Sequence, residues 1–420
     1  MDKIKSSLLP LGVSFFALLV IISDVLNIPI FGIAITIYFV GLLILLPYQS
    51  AIKALFFLMP FSCGITGFTV FLSIWVIIFK SKHINIWQIV PAVIIALLEV
   101  FKVAYYQFAV NYNTVISYIG FILLYFYTLF CKDDRVEVRG CIKYYCLATI
   151  LTLIIVYINV IAVNGFESLI IGDARGGSAM GFEGMVDIRK HLVMNANTIA
   201  YYAIVLLTIL LFGQKRLGFN KFLSYLGIII ATLAGLFSFS RTWLIMATIL
   251  FFISSLNNPH RIRTIVLILI TFFIIFISQS ALVESIINVF EMRIEDETFK
   301  TGGGRFEIFT YYNKVWMSDI KYILTGTGAT HYGQVIKSPN SIHNGMQQIW
   351  VCHGIIGFLV FITTIVHYFK RYRRRIPFVF YLPILACFIF DQSIQFLVPY
   401  SLMLPFIPAL YILRLDDVIY

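Results

Sequence analysis

Residues 142–163, IKYYCLATILTLIIVYINVIAV, carry one charge, Lys143, at the edge of an otherwise apolar run. At ~1.5 Å per helical residue, such a run reaches across a ~30 Å hydrocarbon core. Lipid offers the backbone no hydrogen-bond partners, so a spanning segment is either a helix or a strand of a closed barrel. The apolarity is continuous rather than alternating, which excludes the barrel. The stretch reads as a transmembrane helix.

The same pattern recurs along the chain. Apolar runs cover 8–25, 29–47, a broken segment 51–79, 85–106, 113–130, 194–212, 222–238, 242–256, 265–281, 350–369, 377–392 and 396–413. The chain is 60% hydrophobic and 12% charged, with a mean hydropathy of +0.93. A soluble domain carries roughly twice that charge. The expected fold is all-α, a polytopic membrane helical bundle of about 12–14 transmembrane segments forming a single integral-membrane domain. Lys3 and Lys5 precede the first run, but no small-residue cleavage site follows it, so no removable signal peptide is expected.

The short loops 80–83, 131–143, 213–221, 257–264 and 370–375 are basic, and the positive-inside rule places them in the cytoplasm. Lys53 and Lys80 share that side only if 51–79 enters and returns, turning at Met59-Pro60-Phe61-Ser62-Cys63-Gly64. Each arm is short, so a tilted or half-length hairpin buried against other helices is expected, with both termini inside. Ten of the 31 Lys and Arg then face outward against eleven acids, leaving that surface near neutral. The basic balance thus comes from topology, and no nucleic-acid partner is expected. The six cysteines show no metal-ligand spacing and read as packing thiols.

Two outward regions are long, 164–193 and 282–349. The later one holds Thr301-Gly302-Gly303-Gly304-Arg305, a second glycine turn Gly326-Thr327-Gly328, and Ser341-Ile342-His343-Asn344. After the triple glycine, Phe306, Phe309, Val315, Trp316 and Ile320 fit one helical face, with Glu307, Asn313 and Lys314 away from it. That predicts an amphipathic helix on the outer leaflet or across the bundle mouth. A flexible linker ahead of an interfacial helix is the plainer alternative. Arg241 sits in the tight turn Ser238-Phe239-Ser240-Arg241-Thr242, at a helix start that Ser240 could cap. A cation there opposes the helix dipole unless an anion lies between them, and the guanidinium fork suits phosphate. An arginine snorkelling to headgroups is the competing reading.

His343, Gln347, Trp350 and Gly354 share a helical face, and a histidine at the membrane boundary can serve as a general base. His331 and His353 read as less committed. In the earlier loop, Asp173-Ala174-Arg175-Gly176-Gly177-Ser178 and Arg189-Lys190-His191 suit either a substrate-contacting loop or a solvated connector. Glu99 and Lys102, three apart within a span, are expected to neutralise each other. Asp391 with Gln392 and Gln395 could form a polar clamp.

Taken in order, Ser238…Arg241-Thr242, Gly304-Arg305…Trp316 and His343-Asn344…Gly354-Ile355-Ile356-Gly357 resemble the O-antigen polymerase/O-antigen ligase superfamily. The resemblance extends to the span number and the late outer loop, with the motifs confined to 238–357. It implies a bacterial cytoplasmic-membrane glycosyltransferase of the O-antigen, capsule or exopolysaccharide type. The enzyme would act at the periplasmic or exterior face, using an undecaprenyl-diphosphate-linked glycan as donor and a glycan or lipid-linked acceptor. By the same resemblance, Arg241 and Arg305 bind the donor diphosphate and His343 activates the acceptor hydroxyl. Arg175, Arg189, Asn344 and Gln347 are candidate substrate contacts.

No cofactor and no metal are expected, since fixed guanidinium groups can stabilise a departing diphosphate. Membrane lipids, a chain-length regulator and other assembly proteins are candidate partners. Polymerase is the first reading and ligase, which transfers to a lipid A-core or another acceptor, shares its residues. A lipid-linked oligosaccharide flippase is the alternative from another class, and would place polar groups along a central cavity. A cell-wall glycan polymerase of the shape-and-division type resembles the late loop less.

Overall fold

A computed structural model describes residues 2–26, 32–61, 67–81, 84–106, 112–131, 135–164, 196–238, 240–257, 305–330, 344–372 and 378–384, with scattered positions between and in 259–270 and 407–411. Regular structure among the described residues is helical, without a strand. Four helices are long and apolar enough to cross a membrane by length and composition: Ile86–Tyr106, Tyr112–Phe130, Glu137–Ala162 and Gly345–Arg371. The chain is a helical membrane protein.

The helices are α1 (Asp2–Asp24), α2 (Gly32–Leu45), α3 (Tyr48–Phe61), α4 (Gly67–Lys80), α5 (Ile86–Tyr106), α6 (Tyr112–Phe130) and α7 (Arg135–Asn164). They continue as α8 (Ala196–Leu217), α9 (Lys221–Phe237), α10 (Arg241–Asn257), α11 (Arg305–Met317), α12 (Ile320–Thr325) and α13 (Gly345–Tyr372). The broken segment 51–79 is two 14-residue helices, α3 and α4. Each spans about 21 Å at ~1.5 Å per residue, short of a full crossing. α3 is buried along nearly its whole length and packs chiefly along α7, while α4 packs along α6. Gly120 permits the second contact, because a Cβ there would lie 2.9 Å from Phe71 Cα.

Polar contacts gather the basic ends of several helices together. Lys80 Nζ donates to the carbonyls of Ile44, at 2.7 Å, and Leu46, capping the C-terminal end of α2. The Lys53 side chain lies against Gly140, and Lys143 Nζ approaches Gly218. Trp87, at the start of α5, stacks on His367 near the basic end of α13. Lys53 near the start of α3 thus sits against α7, and Lys80 at the end of α4 sits against the end of α2. Cys131, Cys141, Cys146 and Cys352 are buried and not joined in disulfides, as packing thiols would be.

Candidate functional site

α13 opens on Asn344, whose Oδ1 accepts the Gln347 amide at 2.9 Å, an N-cap for the helix. The helix does not run straight. At Gly354 φ is +63° and ψ is −169°, a conformation that only glycine adopts readily and that breaks the α ladder. Carbonyls just ahead of the break take donors from elsewhere. Val351 O accepts Thr327 N at 2.8 Å and Thr327 Oγ1 at 3.1 Å. Cys352 O accepts Gly328 N at 2.9 Å and the Lys102 ammonium at 2.8 Å. The second glycine turn of the late loop is thus docked into a gap in a membrane helix.

The other side of that turn is held by Glu99. Its carboxylate accepts Ala329 N at 2.8 Å, Thr330 N at 2.7 Å and the Thr330 hydroxyl. Glu99 and Lys102 are both buried on α5, one helical turn apart. What the spacing did not reveal is that each also holds backbone from 230 or more residues later: Glu99 the loop, Lys102 the broken helix. Three donors to Glu99 and the Cys352 carbonyl at Lys102 offset part of the cost of burying these charges.

α11 lies against the half of α13 ahead of the break. Tyr312, Ile336, Ile342 and Val351 form a small buried cluster, flanked by Ile308, Val315, Trp316 and Trp350. The packed face is therefore centred on Tyr312, with Ile308, Val315 and Trp316 at helical spacing around it. Phe306 and Ile320, from the expected apolar stripe, lie off this packed face, exposed at 77% and 67%. Asn313, expected on the polar side, turns inward instead. Its Oδ1 accepts Gln347 Nε2 at 3.2 Å and Trp350 Nε1 at 3.1 Å, while Gln347 Nε2 also reaches Phe309 O at 2.7 Å. An asparagine satisfying two buried donors outweighs the simple apolar stripe.

Arg241 and Arg305 are the first residues of α10 and α11. Their side chains, and His343, Arg175, Arg189, His331, Asp391, Gln392 and Gln395, lie outside the described residues. Asn344 acts as the helix cap, and Gln347 is buried with its amide joined to α11. His353 is buried, with Nε2 3.4 Å from the Tyr118 hydroxyl and its ring beside Phe361. The turn before Arg241 is tight. Ser238 Oγ donates to Gly235 O at 2.6 Å and accepts Ser240 N at 3.3 Å. Trp243 fills the space above Gly235, where a Cβ would fall 1.9 Å from the indole ring.

A second buried carboxylate, Asp24 at the end of α1, was not singled out by its residue type alone. Its Oδ2 accepts the Leu192 amide at 2.7 Å and Asn159 Nδ2 at 3.2 Å. An acid just inside the end of an apolar run was the only signal available. Asp24 and Glu99 thus do parallel work, one at the returning end of the 164–193 region and one within 282–349.

No family model matches the chain, and no curated protein or solved structure matches it.

Proposed function

We propose that this protein is a polymerase of lipid-linked polysaccharide repeat units. It moves a glycan from undecaprenyl diphosphate to an acceptor sugar hydroxyl at the outer face of a bacterial cytoplasmic membrane. The acceptor oxygen attacks the anomeric carbon, the bond to the diphosphate oxygen breaks, and the acceptor proton passes to His343. Arg241 and Arg305 hold the diphosphate as it gains charge. In this reading the chain crosses the membrane about 12–14 times, with both termini inside and 164–193 and 282–349 outside. Arg175 and Arg189 provide contacts to glycan or phosphate, and the reaction uses no metal.

One observation carries the reading: Arg241 and Arg305 each open a helix, at α10 and α11. A cation at a helix N-terminus is disfavoured by ~0.3–1 kcal/mol, and an anion bound between guanidinium and backbone amides reverses that sign. His343 stands one residue before the cap of a third helix. Guanidinium groups and free amides together suit a diphosphate. The broken helix also weighs against a transporter. Transporters use carbonyls exposed at such breaks to bind cargo ions, whereas Val351 O and Cys352 O already receive Thr327, Gly328 and Lys102.

The test is reconstitution of the full chain with an undecaprenyl-diphosphate-linked repeat unit. Wild type should lengthen the lipid-linked glycan, and Arg241→Ala, Arg305→Ala and His343→Ala should not. Long-chain product from all three variants at normal protein levels would remove the assignment.

A further inference from the structure

The glycine turn 326–328 and the break at Gly354 are locked by a pair of charges that the proposed chemistry does not use. Glu99 gathers two consecutive amides and a hydroxyl at 329–330, and Lys102, one helical turn along α5, binds the carbonyl of Cys352. Between them the turn amides of Thr327 and Gly328 bond the carbonyls of Val351 and Cys352. Two segments of backbone, 327–330 and 351–352, are thereby tied to each other and to a single pair of side chains on a helix distant in sequence. The half-helix 345–353 is held at its far end by this lock and along its side by Asn313 and the Tyr312 cluster. Its near end begins at Asn344, directly after His343.

We propose that Glu99 and Lys102 are positioning residues: they fix the half-helix 345–353, whose cap Asn344 directly follows the proposed base His343 in the chain. This rests on the glycosyl-transfer reading above for its link to rate, but the lock itself does not. A buried carboxylate with three donors is pre-organised, so loosening it frees the half-helix that leads back to His343, while Arg241 and Arg305 belong to other helices. Misplacement of a reacting group by about 1 Å costs roughly 10²-fold in rate. The donor's apparent affinity has no reason to follow.

Hydrogen–deuterium exchange on the full chain in detergent tests the lock independently of activity. In Glu99→Ala, the amides of 327–330 and of the first turn of α13 should exchange roughly 10- to 100-fold faster, the factor carried by one or two charge-assisted bonds. The same variant should lose roughly 10²-fold in kcat, with KM for the lipid-linked donor within about twofold. Should Glu99→Ala fail to insert, Thr330→Val removes only the hydroxyl donor and Glu99→Gln only the charge, and each should show a smaller change of the same kind. Unchanged exchange at 327–330 in all three variants overturns the lock. Faster exchange with wild-type kcat, or a loss confined to KM, overturns the positioning role. If Arg241→Ala, Arg305→Ala and His343→Ala keep full activity, the glycosyl-transfer reading fails by itself, and the exchange result still decides the lock.

Discussion

Gly326 and Gly354 are reciprocal: a Cβ on Gly326 would sit 2.3 Å from the Cys352 carbonyl, and a Cβ on Gly354 would sit 2.4 Å from the Leu324 carbonyl. Both have positive φ, +78° and +63°, with ψ near 180°. Each glycine lets the other's segment approach, so a loop and a broken helix share one backbone interface.

Gly326→Ala and Gly354→Ala should each cost at least ~1–3 kcal/mol from backbone strain alone, with more from the displaced carbonyl. Gly41→Ala is the control, since its Cβ would meet nothing within 4 Å. Thermal unfolding in detergent should fall clearly for the first two and hold or rise for the third. Equal unfolding temperatures across the set would contradict the shared interface.

Removing either buried charge leaves the other with fewer compensating partners. Glu99→Ala and Lys102→Met should each destabilise the protein by about 3–5 kcal/mol. The double variant should cost less than the sum, with a coupling of ~0.5–3 kcal/mol. Strict additivity in denaturant unfolding would mean that the two charges act separately.

Asp319 caps α12. Its carboxylate accepts the Lys321 amide at 3.0 Å and lies 3.1 Å from Lys321 Nζ. The backbone bond first, and then the ammonium, hold its pKa below the usual carboxylate range. A depressed folded pKa gives stability that is fully present above the unfolded value of ~3.9 and is lost as pH falls through the folded value. The stability difference between wild type and Asp319→Ala should therefore be constant near neutrality and vanish in acid. A difference that grew on acidification would reverse the assigned sign.

Trp243 occupies the space that Gly235 leaves open, two residues past Arg241. Gly235→Val should cost ~1–3 kcal/mol through overpacking and shift the start of α10. Glycan polymerisation should fall together with stability, whereas Trp243→Phe, which shrinks the ring, should retain most of both. Normal stability in Gly235→Val would show that the turn has slack.

Arginine's fork, rather than its charge alone, is what the diphosphate assignment needs. Arg241→Lys and Arg305→Lys should each lower kcat by about 10²- to 10³-fold, the scale for losing one pre-placed donor at a developing charge. Activity of the wild type should survive chelators. Strict dependence on added Mg²⁺ or Mn²⁺ would remove the electrostatic argument.

Much of the fold was legible because lipid constrains sequence so strongly. Runs such as 113–130 and 142–163 had to be helices, and the broken run 51–79 holds two short ones, α3 and α4. Helix starts at Arg241 and Arg305 were readable from turn residues and periodicity, whereas Asn344, read as a substrate contact, caps α13. The packed face of α11 was misjudged because Tyr312 and Asn313 are polar by type yet buried or inward by context.

The sequence by itself therefore determined that this is a helical membrane protein and where its apolar runs lie, since both follow from local apolarity. Only the tertiary structure decided that Glu99 and Lys102 serve a loop and a helix more than 200 residues away, and that Gly354 breaks its helix to receive them. A buried charge shows in the sequence as a charge, but its partners are chosen by packing. Backbone amides and carbonyls look the same at every residue until the fold leaves some of them without a neighbour in their own helix.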